Sequence, residues 1–305
     1  MNKQNIISVV VATRNRAASL ARLLDGLVGQ IGAPPFEVII GDNGSSDDTP
    51  MVVERARDRL QVRYVHEERP GKSRTLNAAL KLARGELIVF TDDDVLPQSD
   101  WLAQLHVAAL RHTDANIFGG RIGVDMKSVP LWVARSFNLM GLLASCHDKG
   151  ERNVRYGYRE YPFGPNMAVR RHCIAGLNKP YPEYLGPGTK MPVGDEPTFL
   201  SQLSPPEAND RLFVASACVM HAVEAENVFF IKAIKRCYLA GLAHGMLGIF
   251  HMSQDRNSPT STFSLITQRL GTCRSLREMI CISARYLGYL QGHRVYSRKN
   301  SGNDG

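Results

Sequence analysis

The first 120 residues alternate short apolar runs with longer amphipathic stretches. The apolar runs are rich in β-branched residues, as is typical of buried strands, and lie at 6–12, 36–40, 62–66 and 87–90. The amphipathic stretches predict helices at about 18–28, 50–60, 73–84 and 101–112. Because strands that are apolar on both faces need helices on either side, this order predicts an α/β fold with a mostly parallel, Rossmann-like sheet flanked by helices.

The pattern is less regular in the remainder of the chain. Residues 120–195 contain many Gly and Pro residues and predict short strands and loops, whereas 196–227 predict one more helix and a strand near 212–221. Two further helices, at about 227–251 and 263–291, are joined by a segment rich in Ser, Pro and Thr. We therefore predict a domain of residues 1–227 followed by a helical C-terminal annex of residues 228–305.

The positive charge of the chain is concentrated at one end. The chain carries 37 Lys and Arg residues against 29 Asp and Glu residues, a formal net charge of +8. Residues 1–227 contain 26 basic and 26 acidic residues, whereas residues 228–305 contain 11 and 3. A protein that tracks phosphates needs positive charge over its whole binding face, so this distribution argues against nucleic acid as a partner.

Cysteine usage and hydropathy indicate a cytoplasmic protein. The six cysteines form no C-x-x-C pair, which argues for reduced thiols rather than a zinc site or a disulfide framework. The longest apolar stretch, at 237–250, is interrupted by His244 and is shorter than the roughly 20 residues of a membrane-spanning helix. The first apolar run leads to Arg14 and Arg16 without the cleavage site of a signal peptide.

Acidic side chains follow the fourth predicted strand. Asp92, Asp93 and Asp94 are consecutive, and like charges at close range repel one another and raise each other's pKa. A bound Mn²⁺ or Mg²⁺ relieves this repulsion, because both ions prefer carboxylate oxygens and the phosphates of a nucleotide. The alternative is a solvated turn in which one aspartate caps the next helix. Ligands of parallel sheets bind at the carboxyl ends of the strands, so the position favours the metal site.

Two further loops at this edge have both a structural and a functional interpretation. Asp42 precedes Gly44 in what reads as a turn, yet a carboxylate at a strand end can also accept hydrogen bonds from a base or ribose. Lys72 and the helix start beside it can face a diphosphate or form a basic surface turn. A phosphate-binding P-loop is disfavoured, because His66 stands where that motif needs glycine.

The motifs together resemble the nucleotide-sugar domain of family 2 glycosyltransferases with the GT-A fold. The resemblance rests on the order and spacing of SVVVATRNR, EVIIGDNGSSDDT, ERPGKSRTLNAAL and GELIVFTDDDVLPQSDWL. It continues through the segments around Asn166, Asp195 and His221, and covers roughly residues 5–225.

The resemblance assigns expected roles on the donor side. It implies that Asp94 is the principal metal ligand, with Asp92 near the ribose or the metal, and that His221 contacts the metal or the diphosphate. A structural His221 is the alternative. Thr13, Arg14, Asp42 and Asp93 are expected around the nucleotide, and Lys72 is expected near the diphosphate.

It also assigns roles on the acceptor side. Asn166 and Gly120 are expected to line the sugar or acceptor side, and a plain bend is the alternative at Gly120. Gly194-Asp195-Glu196 resembles the stretch that supplies the general base of inverting members, with the two acids exchanged. Strict alignment favours Glu196 and leaves Asp195 open. Both acids can instead stabilise a helix start through its dipole.

The resemblance implies a metal-dependent, inverting transfer of a sugar, with a UDP-sugar favoured as donor. The acceptor is a hydroxyl, lipid-linked or saccharide, as in bacterial-type glycan assembly. A sugar nucleotidyltransferase and a non-catalytic sugar- or lipid-binding protein are the alternatives. The oligomeric state is left open.

The annex lies outside this resemblance. Lys232 and Lys235 stand among Phe229, Phe230 and Ile231 and make its first helix both basic and apolar. Such a helix can lie on an anionic membrane, at the inner face of the cell membrane, or pack on the domain with a solvated basic face.

Overall fold

The computed structural model describes residues 7–158, 160–205, 207–223, 228–247 and 273–301. Contacts divide the chain into two units. The first consists of Met1–Gly123, Cys146–Lys190 and Asp195–Ala222; the second consists of Val124–Ser145, Met191–Gly194 and Val223–Gly305. This division differs from the one predicted at residue 227, because residues 124–145 group with the C-terminal helices.

The strands of the described chain form a nine-stranded sheet. They are β1 Ile7–Thr13, β2 Phe36–Asp42, β3 Val62–His66, β4 Leu87–Asp92, β5 Val95–Pro97, β6 Ile117–Val124, β7 Val154–Arg155, β8 Met167–Arg170 and β9 Arg211–His221. The helices of the first unit are α1 Ala17–Val28, α2 Thr49–Ala56, α3 Lys72–Leu80, α4 Trp101–Arg111, α7 Arg171–Ile174 and α8 Asp195–Leu203. Those of the second unit are α5 Leu131–Ala134, α6 Phe137–Ala144, α9 Phe230–Leu247 and α10 Leu276–Ser301.

The strand order is β3-β2-β1-β4-β8-β6-β9-β5, with β7 paired to β9. The pairs among β1 to β4 are parallel, whereas β8 is antiparallel to both β4 and β6. The register aligns Thr13 with Asp42 and Ala12 with Asp92. The carboxyl ends of β1, β2 and β4 therefore meet at one edge, where the polar loops begin.

Apolar side chains cover both faces of the sheet. Val9 and Val11 of β1 share a core with Leu20 and Leu27 of α1, which lie seven residues apart on one helix face. Val10, which points to the opposite face, packs in a second core with residues of α3 and α8. The predicted α/β fold is confirmed, with an antiparallel part added to the parallel one.

The end of α3 differs from its prediction, and hydrogen bonds of the following residues explain why. α3 ends at Leu80, four residues before the predicted end. The amide of Arg84 donates to the Glu37 carboxylate at 2.8 Å, and the amide of Gly85 donates to the Ser8 hydroxyl at 2.8 Å. These buried side chains take the amides out of the helical pattern.

Glycines bring α9 and α10 into backbone contact within the second unit. A Cβ at Gly241 would overlap the carbonyl of Arg285, and one at Gly245 would overlap that of Tyr289. The contact moves toward the C-terminus of α10 as it moves toward the C-terminus of α9. The two helices therefore run parallel. The predicted joining segment, 253–264, lies outside the described residues. Among the helices that are described, none is long and apolar enough to cross a membrane.

Candidate active site

Three aspartates occupy the turn at the carboxyl end of β4. Asp92 is the last residue of that strand, and Asp93 and Asp94 form the turn into β5. The Asp93 carboxylate accepts a hydrogen bond from the Thr13 hydroxyl at 2.7 Å and lies 3.2 Å from the Arg16 guanidinium. Burial raises the pKa of Asp93 to about 6, even though these two partners oppose the shift.

Asp94 lies between two cationic or potentially cationic side chains. Its Oδ2 accepts a hydrogen bond from Arg16 Nη1 at 2.6 Å, and its Oδ1 lies 3.4 Å from His221 Nε2. Burial favours the neutral acid, but His221 and Arg16 outweigh it and lower the pKa of Asp94 to about 2. The Asp94 carboxylate is therefore ionised at neutral pH and close to an imidazole.

Lys72, at the start of α3, connects the donor-side aspartates with the predicted base. Its Nζ lies 2.6 Å from Asp92 Oδ1 and 3.7 Å from Glu196 Oε1. Burial disfavours the ammonium, but the surrounding carboxylates outweigh it and raise the pKa of Lys72. The Lys72 amide donates to the Pro187 carbonyl at 2.9 Å, which fixes the start of the helix.

Asp195 and Glu196 begin α8 but have different surroundings. The Glu196 side chain is 27% exposed, and its Oε2 accepts a hydrogen bond from the Gly164 amide at 3.0 Å. Asp195 is buried, and its Oδ2 has no hydrogen-bond partner among the described residues. Burial raises the pKa of Glu196 to about 7 against the charge of Lys72, and it raises the pKa of Asp195 as well.

Thr13, Arg14 and Asp42 were predicted to surround the base and ribose. Thr13 is buried and donates to Asp93, and the other two residues differ in exposure. Asp42 is completely buried, where it accepts hydrogen bonds from the Tyr64 hydroxyl at 2.6 Å and the Ser45 amide at 2.9 Å. It thus holds the loop after β2, and its contact with the nucleotide stays a prediction. Arg14 is exposed in the loop after β1.

The Asn166 side chain is fully used in hydrogen bonds to neighbouring strands and a helix. Its side-chain amide donates to the carbonyls of Arg121 and Ala217, both at 2.9 Å, and its carbonyl accepts from the indole of Trp101 at 2.9 Å. Asn166 is completely buried and joins β6 and β9 to α4; its contact with a sugar or acceptor stays a prediction.

Gly120 allows this close approach. It lies within β6 and not in a bend, and a Cβ there would overlap both the Ala217 carbonyl and the Asn166 amide. Its place on the sugar side stays a prediction.

We expect Gly120→Ala to lower the free energy of unfolding by about 2–3 kcal/mol, because the clash involves backbone that cannot move aside. Denaturant unfolding measures this change. Gly29→Ala is the matched control: the nearest atoms to its Cβ would be ordinary contacts at 3.6 and 3.7 Å. An equal loss in both variants would contradict the steric argument.

The side chains at this edge provide some, but not all, of the ligands that a divalent cation needs. Asp94 Oδ1 is buried and makes no hydrogen bond that meets normal geometry, and His221 lies beside it. No group of three His, Cys, Asp or Glu side chains converges on a common point within the described ranges. Asp94 and His221 can therefore supply two ligands, which suits an ion that takes its remaining ligands from nucleotide phosphates.

Sequence reasoning missed Arg16 and Gly164. Arg16 contacts two of the three aspartates, whereas the sequence singled out its neighbour Arg14, as a residue near the nucleotide. Gly164 approaches Glu196 so closely that a Cβ would overlap the carboxylate. The sequence does contain one indication for Arg16. It directly precedes α1, and a long side chain at that position can reach back over the ends of the strands.

Comparison with solved structures identifies the fold of this chain. A mannosyltransferase from Pyrobaculum calidifontis in complex with GDP-Man and Mn²⁺ matches 98% of this chain and 79% of its own, with a TM-score of 0.58 and 19% identity. Staphylococcus aureus TarS 1-349 in complex with UDP-GlcNAc matches 96% of this chain and 92% of its own, with a TM-score of 0.55 and 15% identity. The fold is that of a GT-A glycosyltransferase.

The sequence identifies the family. The profile of Glycosyl transferase family 2 matches residues 8–179, and the chain belongs to that family. Hyaluronan synthase of Pasteurella multocida is 33% identical over 125 residues, which is 40% of this chain. The match spans only 13% of the length of that synthase.

Proposed function

We propose that this chain transfers a sugar from a nucleoside-diphosphate sugar to an acceptor hydroxyl with inversion at the anomeric carbon. The observation that carries the proposal is the position of Lys72, which contacts Asp92 on the donor side and lies 3.7 Å from Glu196 on the other. A cation placed between a metal-type aspartate cluster and a carboxylate of raised pKa suits a reaction in which a diphosphate leaves and a hydroxyl loses its proton.

The donor half of the site is suited to the diphosphate. Aspartates hold Lys72 and Arg16 at this edge, so both cations are placed beside the proposed diphosphate. If they turn to phosphate oxygens, a divalent cation would have to compensate the carboxylates that they leave. Mn²⁺ or Mg²⁺ would be held by Asp94 and His221, with Asp92 nearby. When bound, such an ion supplies Lewis-acid stabilisation of the negative charge on the leaving group.

The acceptor half has Glu196 as the proposed general base. The Gly164 amide fixes one carboxylate oxygen, so the other can accept the proton of the acceptor hydroxyl as that oxygen attacks the anomeric carbon. The raised pKa of Glu196 places the group near neutral pH, where a base of this kind works best. Since the diphosphate leaves from the opposite face, the configuration inverts.

Asp195 is less suited to that role. It lies against Gly186, where a Cβ would come within 2.5 Å of its Oδ2, and it is almost completely buried. Its charge helps to raise the pKa of Glu196, so we assign it an electrostatic role.

For the donor we favour a UDP-sugar, and for the acceptor a growing glycan. The support is the similarity to the TarS structure with UDP-GlcNAc and, for glycan assembly, the name of the hyaluronan synthase relative. The Pyrobaculum calidifontis structure contains GDP-Man, so the base must be tested directly.

The proposal is tested with a panel of UDP- and GDP-sugars, each with Mn²⁺, by thermal shift followed by product analysis. A donor that binds only the folded chain raises its melting temperature by mass action. We expect a UDP-sugar to give the largest shift and a nucleoside diphosphate to be released. Release of pyrophosphate would instead indicate a nucleotidyltransferase, and a bound donor that is never consumed would indicate a non-catalytic protein.

A further inference from the structure

A basic and apolar surface lies at one end of the helices of the second unit. Because α9 and α10 run parallel, their N-termini lie at the same end. The Phe230 ring at the start of α9 packs edge-on against Trp132 of α5 at a centroid distance of 5.6 Å, and the Arg277 guanidinium lies 5.5 Å from its centroid. Three separate segments, around residues 131–135, 229–235 and 274–277, thus form one surface, which we call the helix-end surface.

The helix-end surface exposes large apolar side chains that a water-facing surface does not need. The exposed fraction is 82% for Ile231, 67% for Leu276, 63% for Leu131 and 60% for Phe229. Single exposed apolar residues are ordinary, but these four lie on the three segments that meet around the Phe230–Trp132 contact.

Positive charge surrounds this patch. Arg135 and Arg274 line a cavity of about 260 Å³ together with Leu131, Trp132 and Ser275. Within the described part of the chain, neither arginine side chain has a carboxylate partner. The nearby acid, Glu278, is buried and accepts a hydrogen bond from the Arg274 amide at 2.7 Å, so it is used to cap α10.

We propose that the helix-end surface docks on an anionic lipid bilayer, with a lipid phosphate held between Arg135 and Arg274. Apolar side chains flanked by arginines suit the boundary between headgroups and acyl chains, where both kinds of group are satisfied at once. Two parallel helix N-termini add positive potential at the same end. A protein partner would need carboxylates placed opposite both arginines, whereas an anionic bilayer offers phosphates at every position of its surface.

The proposal extends the sequence-based hypothesis for the annex in a way that sequence could not. Leu131, Trp132 and Arg135 belong to the segment 124–145, far from the annex along the chain, and they complete the cavity. The surface is independent of the sugar-transfer proposal, since its residues are not those of the candidate active site.

The test is sedimentation of the full chain with vesicles of phosphatidylcholine alone and of phosphatidylcholine mixed equally with phosphatidylglycerol. We expect binding to the anionic vesicles that weakens as salt is added. Arg135→Ala with Arg274→Ala should weaken it about 25-fold, because each basic residue near the surface contributes roughly fivefold. Ile231→Ser should weaken it by about three- to tenfold.

Matched variants separate a surface effect from a loss of charge or of apolar area. Arg22→Ala with Arg55→Ala removes the same charge from exposed positions on α1 and α2, and Leu110→Ser removes an apolar side chain that is 55% exposed on α4. Retained binding in these controls, with loss in the test variants, supports the proposal. Equal loss in both sets, equal binding to neutral vesicles, or no binding of the folded wild-type chain would overturn it.

Discussion

Asp94→Ala is expected to lower the rate of sugar transfer by about a thousandfold or more. Asp94 lies at the turn after β4, its pKa is lowered to about 2 by His221 and Arg16 against burial, and it is the best-placed ligand for a divalent cation. Loss of charge stabilisation worth several kcal/mol on a leaving diphosphate corresponds to a rate effect of this size. Initial rates with a UDP-sugar, at saturating and limiting Mn²⁺, measure it.

A second readout separates metal binding from folding. The melting temperature of the wild type should rise with Mn²⁺ and UDP together, and this rise should vanish in Asp94→Ala while circular dichroism stays unchanged. Asp25→Ala is the matched control, because Asp25 is an exposed aspartate on α1 paired with Arg59 at 2.7 Å. Near-normal transfer by Asp94→Ala would remove this residue from the proposed site.

Glu196→Gln is expected to reduce kcat by about 10²- to 10⁴-fold while donor affinity changes little, since the amide keeps the shape but cannot accept the proton. In the wild type the rate should rise as pH rises through about 7, because the carboxyl must be deprotonated to act as a base. Rate profiles against pH and donor titrations measure the two effects.

Asp195→Asn is the matched control for that assignment. Asp195 is buried against Gly186, so its loss should shift the pH profile through its charge and leave part of the rate. The reverse result, an active Glu196→Gln and an inactive Asp195→Asn, would make Asp195 the base.

The same pKa shift predicts a difference in stability. The pKa of Glu196 is higher in the folded chain than in a free glutamate, so its contribution to folding is fully present below the ordinary pKa and is lost as pH rises through about 7. Glu196→Gln, which carries no titratable group, should therefore lose less stability than the wild type between pH 5 and pH 8. Melting temperatures across this range measure it.

The parallel half of the fold could be predicted from the sequence because its strands are buried on both faces. Seven consecutive residues of β1, from Ile7 to Thr13, are buried or nearly so, which makes the apolar run unambiguous. The antiparallel half could not be read in the same way. β8 has only four residues, and its place between β4 and β6 depends on partners far along the chain.

The candidate site was predicted better by residue type than by contact. The consecutive aspartates and Lys72 were identified because clustered charge at a strand end needs a partner. The contacts of Asn166 and Arg16 could not be predicted because their partners are tertiary: an indole and two carbonyls for Asn166, and two carboxylates for Arg16. Neither set is visible in the local pattern of the chain.

The position of β8 also sets the order in which a growing chain can become active. Residues of β1 to β4 can pair once they have emerged, and their register places Ala12 beside Asp92 and Thr13 beside Asp42. The free edge of β4 is covered only when β8 arrives, and Glu196 and His221 follow later still. Synthesis therefore exposes β1 to β4 and their aspartates before Glu196 and His221, so a product truncated before residue 195 would lack both the proposed base and one proposed metal ligand.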